Sequence, residues 1–151
     1  MTTFVYAAKF LCGSMPELPQ PTEEGPVEPG SYATAINVHN PNPREPVVFT
    51  KKAVLLFNVN EVEKEENYET PKAPWERSYR REQLGPDYGM EIDGRDIREL
   101  LTGQAPAAPV FIKGWVVIES PLPLDVVAVY TVRAPDGAVS IATDRVIPTQ
   151  L

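Results

Sequence analysis

Cys12, His39 and the pair Asp93 and Asp96 are the side chains of this 151-residue sequence best suited to chemistry. A thiol beside an imidazole can lose its proton and become a nucleophile. Two carboxylates three residues apart can divide acid and base roles in a hydrolysis. Glu61, Glu63, Glu65, Glu66 and Glu69 form a second acidic set, and calcium takes six to eight oxygen ligands. Each candidate also has a plainer reading. Cys12 stands alone, so no intramolecular disulfide or thiolate metal site can be built, and a single cysteine is commonly a small buried hydrophobe. His39 is the only histidine and reads as a strand-end imidazole bonded to turn backbone. Asp93 and Asp96 fit a helix cap and first turn. The glutamates lack the alternating spacing and central glycine of a calcium loop, which favours a solvated charged loop. Nucleotide-binding and common hydrolase motifs (GxxxxGK[ST], GxGxxG, GxSxG, HExxH) are missing. No catalytic, cofactor-binding or metal residue is therefore assigned, and a non-enzyme is expected.

The elements that would position such side chains are mostly strands. Proline occupies 17 positions, about twice ordinary usage, and favours short strands and rigid turns over long helices. Residues 3–12 suit a buried strand, followed by a proline-rich loop at 13–30. Residues 31–40 alternate cleanly and run into Asn40-Pro-Asn-Pro; with residues 47–58 they are expected to make a hairpin. A charged insert covers 60–88, within which Trp75 to Glu82 suits a strand, and Tyr88 to Ile92 forms another short one. Asp93 to Leu101 is the one good helix: Asp93 caps it, Gly103 ends it, and Ile97, Leu100 and Leu101 share a face. Residues 110–119, 124–133 and 138–147 are the strongest β region and read as a continuous meander, with Asp136-Gly137 as a hairpin turn. The expectation is an all-β, single-domain antiparallel β-sandwich spanning 1–151, of seven to eight strands with one short helix (93–101). Ile36, Val38, Leu55, Phe57, Val116, Ile118, Val126 and Ala128 are placed in or near its core.

Charge and hydropathy narrow the partners. A net charge of −7, with acidic residues interleaved among Arg77, Arg80, Arg81, Arg95 and Arg98, argues against nucleic acid. No segment approaches the roughly 20 apolar residues of a membrane span, so no membrane insertion is expected. The N-terminal run lacks a basic start and is broken by Lys9, which suggests a cytoplasmic chain, with secretion after precursor processing as the alternative. Phe111, Lys113, Trp115, Val117 and Glu119 share one strand face. Trp115 is either exposed there to a partner or covered by the 60–88 insert.

Two stretches carry a resemblance: Tyr32-Ala-Thr-Ala-Ile-Asn-Val-His-Asn-Pro41, and Phe111 to Tyr130 with Met90-Glu-Ile-Asp upstream. They resemble a widespread group of uncharacterised bacterial β-sandwich proteins. The layout is also similar to the sensory rhodopsin transducer family, which implies a small cytosolic sandwich that oligomerises and acts as a binding partner. The loop at 13–30 and the insert at 60–88 depart from that pattern, and no family site residue carries over. The expected function is self-association into a homo-oligomer or larger assembly, through strand edges or the Trp115 face. The alternatives are a binding module, with a carbohydrate, peptide or signalling partner across Phe111, Trp115, Tyr130 and Arg80, and a small hydrolase using Asp93/Asp96 or Cys12.

Overall fold

The computed structural model describes residues 1–16, 27–56, 79–102 and 111–151. Within them the chain forms nine strands and one helix: β1 (Phe4–Met15), β2 (Gly30–His39), β3 (Val47–Leu55), β4 (Arg80–Leu84), β5 (Gly89–Ile92), α1 (Gly94–Thr102), β6 (Ile112–Ser120), β7 (Asp125–Arg133), β8 (Val139–Arg145) and β9 (Thr149–Gln150). All pairings are antiparallel, so the all-β expectation holds. The strand missing from the sequence reading is β9. Its two residues lie beyond Pro148, too short for any periodicity to show.

The strands follow one hydrogen-bonded path, β4-β3-β6-β1-β2-β7-β8, with β5 added to β2 and β9 to β1. Strand β1 makes the path continuous by changing partners. Residues 4–12 pair with β6, whereas Gly13 to Met15 pair with the start of β2. Gly13 sits at the change with φ +103°, a left-handed conformation that an L side chain rarely adopts. Beyond the split, side chains take over from the ladder. The Thr34 hydroxyl accepts from Leu11 N–H at 2.9 Å and donates to Leu11 C=O at 2.8 Å, and the Tyr130 hydroxyl donates to Lys9 C=O at 3.0 Å. Part-buried backbone groups of Lys9 and Leu11 that no strand pairs on that side are thereby satisfied.

This layout overturns two expected pairings. Residues 31–40 and 47–58 do not form a hairpin: β2 pairs with β1, β5 and β7, while β3 pairs with β4 and β6. Asn40 redirects the chain. It is fully buried, and its amide donates to Glu45 C=O at 2.8 Å and Gly85 C=O at 3.0 Å. Nor do the last three long strands form a continuous meander. Strands β7 and β8 pair around Asp136-Gly137 as expected, with Gly137 at φ +90°, but β6 lies between β1 and β3. Alternation fixes which face of a strand is buried, but turn residues do not reveal which strand lies alongside.

The alternation itself reads correctly. Tyr6, Ala8, Phe10 and Cys12 of β1, Ile36 and Val38 of β2, Val116 and Ile118 of β6, and Val126 and Ala128 of β7 join one buried cluster. Leu55 packs half-buried against it, and Phe57 lies outside the described residues. The Tyr6 hydroxyl fastens the link between β6 and β7, accepting from Leu124 N–H at 2.6 Å and donating to Leu124 C=O at 2.9 Å. One core position is not apolar: Lys51 is buried on the inner side of β3 and pairs with Glu82 at 2.8 Å. Helix α1 begins one residue after its expected start. Asp93 caps it by accepting from the N–H of Arg95 and Asp96, Asp96 accepts from Asp93 N–H in return, and Ile97 and Leu100 are buried. Gly103, the 61–69 glutamates, Trp75 and Arg77 lie outside the described residues.

Candidate functional site

Among the described residues, no further strand pairs with either end of the strand path. At one end β4 is five residues long and reads Arg-Arg-Glu-Gln-Leu. Arg80 reaches Glu99 of α1 at 3.0 Å, and Glu82 pairs with Lys51. Brevity and charge are means by which sheets prevent edge pairing.

The other end is β8, and every one of its seven residues is exposed. It pairs with β7 through the register Arg133↔Val139 to Val127↔Arg145. Ladder bonds flank that register, Ala134 N–H to Ala138 C=O at 2.8 Å and Val146 N–H to Val126 C=O at 2.9 Å. Antiparallel pairs alternate between bonded and non-bonded. Positions 138, 140, 142, 144 and 146 therefore bond to β7, while Val139, Ile141, Thr143 and Arg145 point their N–H and C=O groups away from the sheet. Ile141 is 69% exposed and Val139 51%. No lysine or proline interrupts residues 139–143. Through the register, Val139 and Ile141 also share a sheet face with Thr131, Val129, Ala33 and Ala35, which carries no charge in its middle. On the opposite face, Leu11, Tyr32, Tyr130, Val132, Ser140 and Ala142 line an open cavity of about 140 Å3.

The four residues expected to form an interaction surface are not assembled into one. Trp115 stands on the outer side of β6, paired with Lys9 and Val54, and the Lys9 ammonium lies 4.4 Å from its ring centroid. Burial and nearby Lys113 together push the Lys9 pKa down. On the same face the Tyr79 hydroxyl accepts from Lys52 at 2.6 Å and donates to Glu119 at 3.0 Å, so the end of the 60–88 insert reaches this surface. Arg80 pairs with Lys51 and therefore projects from the inner side, toward α1. Tyr130 faces inward with its hydroxyl bonded, and burial raises its pKa. Phe111 packs edge-on against Tyr32, ring centroids 5.6 Å apart. No single ligand face spans Trp115, Tyr130 and Arg80.

The candidates for chemistry are dispersed and occupied. Cys12 is buried beside Gly94 at the start of α1, and desolvation raises its pKa despite the Thr34 hydrogen bonds and the positive charge of Arg98. His39 does not bond turn backbone as the sequence suggested. Its Nε2 lies 3.0 Å from Asp87 and its Nδ1 3.2 Å from Asp125, and these bonds, Asp87 first, raise its pKa. Sequence reasoning missed both carboxylates, which are 48 and 86 residues away. It also missed Val139 and Ile141 as an exposed pair. The signal for these was present, in an apolar strand without a lysine or proline of its own. No helix among the described residues is long and apolar enough to cross a membrane.

No protein family, curated protein or solved structure matches this chain.

Proposed function

We propose that this is a non-enzymatic structural protein whose copies associate edge to edge through β8. The observation that carries the reading is the row of outward backbone groups at Val139, Ile141, Thr143 and Arg145 on a fully exposed strand that also presents the apolar side chains of Val139 and Ile141. A second copy meets it with the same strand running antiparallel about a two-fold axis. Centred on Ala142, this pairing sets Val139 against Arg145 and Ser140 against Asp144, so no like charges oppose. An isologous contact closes on itself, and charged β4 offers no second sticky edge, so a discrete dimer is the expected product. Within each copy we read the strands around β6 and those around β2 as facing layers of a sandwich. The shared buried cluster supports this, because one nine-residue helix is too small to cover either layer.

Three observations favour a non-catalytic role. Burial keeps the Cys12 thiol protonated, Asp93 and Asp96 are engaged in capping, and both nitrogens of His39 are taken. A buried, unbridged cysteine also suits a cytoplasmic location. The resemblance to oligomerising sandwich proteins points the same way. An extended peptide from another protein could add to the same edge, and that is the competing reading.

Light scattering with size-exclusion chromatography tests the proposal. The expected result is a species of twice 16.7 kDa at micromolar protein. Ile141→Lys should weaken it at least about 30-fold, the effect of losing one interface anchor. Trp115→Glu should leave it intact. A 16.7 kDa monomer persisting to near-millimolar protein would overturn the proposal and favour the peptide reading.

A further inference from the structure

His39 closes β2 at the end of the sheet where four elements meet. Its Cα partners are Gly89 on β5 and Asp125 on β7, and Asp87 lies in the turn between β4 and β5. Both ring nitrogens have a carboxylate oxygen within hydrogen-bond distance, Asp87 at 3.0 Å and Asp125 at 3.2 Å. A carboxylate offers only acceptors. An imidazolium has two N–H donors and satisfies both; a neutral ring has one donor, and its lone pair would face an oxygen. The arrangement is therefore complete only in the doubly protonated ring.

We propose that His39 is the pin of a pH-sensitive clasp, closed when the imidazole holds two protons and released on one side when it holds one. The released side is Asp87. Asp125 belongs to a strand paired with His39 itself and has a second partner, Arg145 on β8, at 3.5 Å. Asp87 lies on a turn with its side chain 79% exposed and its backbone at φ +58°, the left-handed turn conformation that aspartate tolerates better than most residues. Among the described residues Glu91 on β5, two positions beyond Gly89 and opposite Asn37, is a further charge on this side. Every carboxylate named stabilises the imidazolium, and Arg145 opposes it only from behind Asp125. The raised pKa of His39 agrees with this geometry. Raising the folded pKa fixes the sign: the clasp contributes stability fully below the unfolded value of about 6.5 and loses it as pH rises through the folded value. The proposal does not depend on association through β8.

The chain has one histidine, so a single imidazole proton resonance reports the titration. Its midpoint should lie above 6.5, and Asp87→Asn and Asp125→Asn should each move it down. The Asn40 N–H, bonded to Tyr88 C=O at 2.9 Å, and the Asp87 N–H, bonded to Asn42 C=O at 3.1 Å, tie down the turn. Their hydrogen-exchange protection factors, corrected for base catalysis, should fall severalfold through the same midpoint. In His39→Gln they should show no pH dependence. A midpoint at or below 6.5, or protection that stays level across the titration, would overturn the clasp.

Discussion

Strands β4 and β8 end the same hydrogen-bonded path, and they are built in opposite ways. Five residues, three of them charged, make β4, and its Arg80 is ion-paired with Glu99 of α1. Seven residues make β8, whose charges, Asp144 and Arg145, stand together at one end. The faces behind them differ in the same sense. Around β6 the outer face carries Lys9 over Trp115 and the Lys52–Tyr79–Glu119 chain. Around β7 the middle carries alanine, valine, threonine and isoleucine, with Arg133 opposite Val139 at one end and Arg145 opposite Val127 at the other. Unpaired backbone groups invite pairing, and charge or cover prevents it. Among the described residues β4 has that protection and β8 lacks it, so an aromatic residue on a strand, such as Trp115, is a poorer guide to a contact than an undefended edge.

The strongest way to break this comparison uses proline at neighbouring positions of β8. The Ile141 N–H points outward, so Ile141→Pro removes a donor that β7 does not use, as proline does on natural edge strands. Ala142 bonds inward to β7 across from Tyr130, so Ala142→Pro removes a ladder bond and strands a carbonyl, at a cost of about 1–3 kcal/mol plus strain. The expected outcomes are a stable monomer for Ile141→Pro and a clearly lowered Tm for Ala142→Pro. A lowered Tm for Ile141→Pro with Ala142→Pro spared would mean that the outward and inward positions are exchanged.

A core lesion approaches the comparison from the other side. Tyr6→Phe removes the hydroxyl that bonds both polar groups of Leu124, leaving a buried N–H and C=O unpaired. The cost should be about 1–3 kcal/mol, read from denaturant unfolding. The oligomeric state at a given concentration of folded protein should not change, because the Tyr6 hydroxyl lies in the core and not on the outward edge of β8.

What could be read in the sequence follows the range of the interactions involved. Alternation in 31–40, 47–55, 112–120 and 125–133 is local, and it placed Ile36, Val38, Val116, Ile118, Val126 and Ala128 in the core correctly. The Asp93 cap and the Asp136-Gly137 turn are also local, and both form as expected. Pairing is not local. Asn40-Pro-Asn-Pro and Ser120-Pro-Leu-Pro read as hairpin links, yet each carries the chain to a strand that does not pair with the last. The difference lies in buried contacts of Asn40 and Tyr6 with distant backbone. Lys51 shows the same limit: it occupies a core position because Glu82, on a later strand, meets it there. The His39 site needs Asp87 and Asp125 from two further elements, and no spacing rule connects them.

The smallest effect expected is at Lys9, and it sharpens the contrast between the two outer faces. The Lys9 ammonium lies over Trp115, and the depression of its pKa by burial and by Lys113 indicates a charge held partly out of water beside a like charge. A cation over an indole contributes about 0.5–1 kcal/mol at exposed sites, and here the desolvation and the repulsion from Lys113 work against that gain. Lys9→Gln should therefore lower stability by less than about 1 kcal/mol, with the change visible in Trp fluorescence as the ring loses its cation. The species seen by light scattering should stay the same, since this surface is already closed by its own side chains. If Lys9→Gln instead promoted further association, the lysine would be a guard whose removal uncovers Trp115, and the two faces of the molecule would differ in degree rather than in kind.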